Sequence, residues 1–176
     1  SAGNDGTVVV DGVIFPEETV HEMIETAAAD GCSITCGSRD YNMTNYEKID
    51  AAIRRAEEGE DAEAEFYQIN TIGVFRYYRL EFHEKELTVT FLSASFDEAM
   101  EIYIQQMEKV AVYRWEYTKK GWLIWEKALT RNQEMDMHIF YRILPLDEQC
   151  RDMMEHYIVP VSYLSNNLFL EDWAEN

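Results

Sequence analysis

The chain has 176 residues, 47% of them apolar and 13% aromatic, with 34 acids against 15 bases. A net charge of -19 excludes a broad nucleic-acid or anionic-lipid footprint, and no apolar run reaches the ~20 residues that cross a bilayer. The length and apolar content suffice for one domain whose core needs neither disulfides nor metal.

Residues 1–15 read as an N-terminal arm, with β-branched Thr7-Val8-Val9-Val10, a turn at Asp11-Gly12 and then Val13-Ile14-Phe15. The chain opens on Ser1-Ala2-Gly3-Asn4 without an initiator methionine, which suits a trimmed chain that has lost an export signal or lipoprotein anchor. An extracytoplasmic location is therefore expected, with a cytoplasmic one as the alternative. Helices are expected within residues 16–60. Pro16 opens the first at the favoured first-turn position, with Glu17 and Glu18 near the positive end of the dipole. Val20, Met23, Ile24, Ala27 and Ala28 share one face, and Gly31 is a natural stop. Residues 31–44 read as a loop. Thr44-Asn45-Tyr46-Glu47 matches a capping box for a second helix, whose stripe is Tyr46, Ile49, Ile53 and Ala56.

From residue 64 to 145 the apolar period is two, as in an antiparallel sheet. Residues 66–82 form one long apolar stretch, and His83-Glu84-Lys85-Glu86 reads as a reversal. Leu87, Val89 and Phe91 alternate with Thr88, Thr90 and Leu92, and Met100, Ile102 and Ile104 with Glu101, Tyr103 and Gln105. Residues 110–117 read as a strand, Lys119-Lys120-Gly121 as a turn, 122–128 as its hairpin partner and 137–144 as the last strand. Residues 146–176 read as a short helix and a docked tail. Helices followed by hairpin-linked strands imply an α+β fold, with a curved antiparallel sheet wrapped around the N-terminal helices.

Cys32 and Cys36 stand at a spacing that allows a small disulfide loop or two reduced thiols. His21 and Glu25 share a helix face without a third ligand, so no metal site is expected. No phosphate loop, dinucleotide fingerprint or nucleophile elbow is present, and no cofactor is expected. Arg76, Arg79, Arg114 and Arg142 all fall in predicted strands beside aromatics. Arg forks with aromatic walls suit a carboxylate-bearing or sugar-like ligand, which makes Arg76, Tyr78, Arg114, His138 and Arg142 the candidate ligand-binding residues. Alternation puts Arg76 with Tyr78, and Arg79 with Tyr77, on opposite faces. Cross-strand pairing with Glu81, Glu101 and Glu116 is the plainer reading of the arginines.

The hairpin Tyr117-Thr118-Lys119-Lys120-Gly121-Trp122-Leu123-Ile124-Trp125 resembles those of nuclear-transport-factor-2-like (cystatin-like) domains of exported bacterial proteins. Leu144-Pro145-Leu146-Asp147, Ile158-Val159-Pro160 and Asn166 to Trp173 resemble uncharacterised lipoprotein domains of Gram-positive bacteria. The resemblance implies export and a cone-shaped sheet, and assigns no functional residues. The expected function is a non-catalytic extracytoplasmic domain that binds a small ligand or a partner protein, with no nucleic acid and no membrane insertion. The alternative is a hydrolase using His138 with Asp136.

Overall fold

Helix α1 (Glu17–Ala29) begins directly after Pro16, which occupies the cap position, and stops at Asp30 and Gly31, whose φ of 87° glycine adopts without strain. The structure, a computed structural model, describes residues 14–36, 42–119, 121–127 and 137–145. The expected arm before residue 14, and the helix and tail after 145, lie outside them. The chain continues through strand β1 (Ile34–Cys36), helix α2 (Glu47–Glu57), and strands β2 (Ala62–Ile69), β3 (Val74–His83), β4 (Glu86–Phe96) and β5 (Ile102–Ala111). The last described strands are β6 (Arg114–Tyr117), β7 (Trp122–Lys127) and β8 (Met137–Arg142). No helix among the described residues is long and apolar enough to cross a membrane.

Among the described residues the architecture is α+β: two helices on a mostly antiparallel five-stranded sheet ordered β1-β2-β3-β4-β5, with a three-stranded sheet β6-β7-β8 beside it. The larger sheet is not closed. β1 pairs parallel to β2, and a parallel neighbour requires a crossover, which α2 supplies. The remaining pairings are antiparallel.

Several expectations need correction. The capping box does not form: Tyr46 holds the cap position of α2 with no side-chain cap bond, because Thr44 is drawn into a bridge with Ile34. Asn45 takes φ 56°, and its amide Nδ2 donates to the carbonyls of Ala28 and Cys32, tying the entry to α2 onto the end of α1. Residues 31–44, read as a loop, contain β1. The stretch 66–82 is two strands reversing at Asn70-Thr71-Ile72-Gly73, where Gly73 has φ 74° and Asn70 Oδ1 accepts from the amides of Ile72 and Val74. Residues 110–117 likewise divide at Val112 and Tyr113 between β5 and β6.

The sheet does not wrap both helices. In β2, Phe66 belongs to a core with Ile49, Ile53 and Ala56 of α2, with Tyr78, Leu80, Phe82, Leu87 and Val89, and with Tyr117, Leu123 and Trp125 of the smaller sheet and Ile143 just after it. Ile69, of opposite parity, belongs to a second core with Phe15, Val20, Ile24, Ile34 and Cys36. Since successive side chains of a strand point to opposite faces, α2 and α1 cover opposite faces of the sheet.

Candidate functional site

Among the described residues, the face that carries α1 is covered by a helix only at the β1 end. Register arranges its side chains in rows across the strands. One row runs Cys36, Ile69, Phe75, Ala94, Ile104. The next runs Ile34, Tyr67, Tyr77, Leu92, Met107. Beyond them come Glu65, Arg79, Thr90, Lys109 and then Glu63, Glu81, Thr88, Ala111. Two apolar rows thus give way to two charged ones.

Burial falls along the row that ends in Met107, whereas in the row that ends in Ile104 the small Ala94 is still 1% exposed. Ile34, Cys36 and Ile69 are buried under α1, whereas Ile104 is 62% and Met107 72% exposed at the far edge. Tyr67, Phe75, Tyr77 and Leu92 between them are half-buried. Tyr67 packs on Phe75 and Tyr77 with ring centroids 5.5 and 5.3 Å apart, which holds these rings as a rigid strip. β5 forms the edge, and its pairing with β4 shifts between Ser93 and Ala94, so that Gln105 is the extra residue of a bulge.

The charged rows are internally paired. Tyr77 Oη donates to Glu65 Oε2 at 2.6 Å, and Arg79 Nη2 to Glu63 Oε2 at 2.9 Å, with Arg79 Nε 3.5 Å from Glu81 Oε1. Burial, then the Glu65 carboxylate, push the Tyr77 phenol up to about 12. A depression lined by Glu63, Ala64, Glu65 and Arg79 encloses about 270 Å³. That is below the ~300 Å³ where pockets for drug-sized ligands begin.

A family model described as a family of unknown function (DUF6070) matches residues 7–176. The chain belongs to that family. No curated protein and no solved structure matches the DUF6070 chain.

The five candidate residues fall on both sheets of the DUF6070 chain. Arg76 and Tyr78 share the α2 face, as alternation requires. Tyr78 is buried, stacked on Phe66 at 4.8 Å and tilted against Phe91 at 5.2 Å. Arg76 is half-buried and donates from Nη1 to Gln68 Oε1 at 3.3 Å. The other three belong to the smaller sheet: Arg114, Glu126 and His138 stand abreast in register, and Arg142 is opposite Trp122. Arg79, outside the chosen five, is the arginine that the described strands place on the open face. Asp136 lies outside the described residues. Cys32 and Cys36 are free thiols, not joined to each other.

Sequence reasoning passed over the open face itself. Its signal was the alternation of Tyr67, Phe75, Tyr77 and Leu92. Alternation marks two faces without saying which one a helix leaves uncovered.

Proposed function

We propose that the DUF6070 chain is a non-catalytic binding domain whose open sheet face docks a partner polypeptide. One observation carries the reading: the rows ending in Ile104 and Met107 stay apolar while becoming solvent-exposed. Exposed apolar side chains clustered as Ile102, Ile104 and Met107 are, beside half-buried Leu92 and Tyr77, support an interaction surface. Although paired with Tyr77 and Arg79, the three carboxylates Glu63, Glu65 and Glu81 outnumber the flank's cations Arg79 and Lys109, which favours a partner whose apolar side chains are followed by lysine or arginine. The flat strip and the small volume beside Arg79 favour a polypeptide over a small ligand. The resemblance to exported domains supports an extracytoplasmic setting and a nuclear-transport-factor-2-like cone.

A photo-crosslinking amino acid placed at Leu92 in the producing cell tests this. Expected is one defined polypeptide adduct that is absent when the same group replaces exposed Glu18 on α1. Adducts only at Glu18, or none at Leu92, would remove the basis for the platform. Cell fractionation with an intact upstream gene tests the location.

A further inference from the structure

The outer edge of β5 is a separate feature from the face it borders. No described strand pairs with it, and Ile102 to Met107 contains no charged residue in a chain of net charge -19. A long, apolar, uncharged edge is one that proteins ordinarily blunt with lysine, proline or a cover. Two copies of so anionic a chain repel over most of their surfaces, and this edge is where they meet the least repulsion.

The register of such a meeting is restricted. Along a strand, side-chain face and main-chain hydrogen-bond direction alternate together, so antiparallel neighbours must oppose residues of the same face. The bulge at Gln105 changes the count, placing Ile102 and Ile104 before it, and Met107 and Lys109 after it, on the open face. Two symmetric self-pairings that span the bulge keep the faces aligned on both sides of it. One sets Ile102 against Met107 but brings Glu101 opposite Glu108 at both ends, which is destabilising. The other sets Ile104 against Met107 twice and Ile102 against Lys109, with no like charges abreast. In that second register the row Tyr67, Tyr77, Leu92, Met107 runs on into Ile104, Ala94 and Phe75 of the second copy.

We propose that the chain forms a two-fold dimer by antiparallel pairing of β5 with β5 of a second copy, with Ile104 opposite Met107. The dimer joins two open faces into one continuous apolar strip. It stands whether or not that face docks a partner.

Sedimentation velocity on the 176-residue chain, over about 1–500 µM, tests it at the weak affinities expected of a small edge interface. The wild type is expected to shift from monomer to dimer across that range, more readily as salt screens the repulsion. Ile104→Lys and Met107→Glu should each weaken the dimer at least tenfold, with unchanged circular dichroism because both side chains are exposed. An equimolar mixture of the two variants should regain a heterodimer, since the new lysine then faces the new glutamate, and salt should weaken that recovery. A wild type monomeric throughout overturns the proposal. So does a dimer indifferent to both substitutions, or a mixture that stays monomeric.

Discussion

Tyr117 joins the two sheets' supports at a single atom. Its hydroxyl donates to Asp50 Oδ1 at 2.7 Å across 67 positions of sequence, and Arg54 Nε donates to the same oxygen at 2.9 Å. The guanidinium also lies 5.7 Å from the Tyr117 ring centroid. Burial, reinforced by the Asp50 carboxylate, drives the phenol far above the ordinary tyrosine range. Tyr117→Phe removes a buried donor while leaving Asp50 its arginine, so a loss of about 1–2 kcal/mol is expected in urea unfolding. His83 behaves differently because it is exposed. Its Nδ1 lies 2.9 Å from Asp61 Oδ2, and the carboxylate raises the imidazole above its ordinary value while the imidazole lowers the carboxyl. The His83 contribution to stability is therefore complete below about pH 6.5 and is lost as pH rises through the raised midpoint. The Asp61 contribution is present above about pH 3.9 and is lost as pH falls through the lowered one. Proton NMR of His83 should give a midpoint above about 6.5 that moves down in Asp61→Asn; an unmoved midpoint would show that the pair does not persist in solution.

Turns set the register of the larger elements, and two of them are conformationally demanding. Glu84 and Lys85 both take positive φ, 50° and 66°, in the two-residue β3–β4 reversal, where asparagine and glycine are the favoured residues. Lys85→Gly relieves that strain. It also keeps the Lys85 carbonyl that accepts from Trp115 Nε1 at 2.7 Å. Thermal or urea unfolding should show a gain of about 0.5–1 kcal/mol after the larger chain entropy of glycine is offset. Gly121 is the reverse case. It has φ 90°, a Cβ there would stand 2.2 Å from Leu144 Cβ, and its carbonyl accepts from the amides of Ile143 and Leu144. Gly121→Ala is expected to destabilise by about 2 kcal/mol or more, since backbone strain and overpacking add; a neutral result would show that the segment after β8 does not pack there. The reversal at 83–86 and the β6–β7 hairpin were legible because their polar turn residues interrupt apolar alternation. The Asn70–Gly73 turn was not, because Thr71 and Ile72 continue the look of a strand and only the paired Asn and Gly betray it. β1 escaped because three residues between polar neighbours carry no period. Thr44 imitated a helix cap because its bridge to Ile34 is tertiary and invisible to a local pattern.

At the scale of the molecule, the α+β class and the antiparallel run were readable from the order of periods, whereas the placement of the helices on opposite faces was not. Nothing local to Val20 or Ile24 states on which side of β2 they settle, since that depends on the parity of Ile69 against Phe66. The open face escaped for the same reason, and with it the exposed end of its apolar rows. One consequence concerns cooperativity. The sheet separates two cores that share strands but not a helix, so the α1–β1 portion can detach while the β2–β4 ladder and α2 stay folded. Its hold is modest: β1 offers three residues of parallel pairing, α1 buries Val20 and Ile24 with Met23, Ala27 and Ala28 partly buried, and the Asn45 bonds and the Ile34–Thr44 bridge tie it to the start of α2. Native-state hydrogen exchange should therefore resolve two opening free energies, with amides of α1 and β1 exchanging earlier than those of α2, β3 and β4. A single common opening energy would show that the sheet transmits the fate of one core to the other. In the two-step case, detachment of α1 would expose the buried ends of the Tyr67 and Phe75 rows, lengthening the apolar strip at the opposite end from β5.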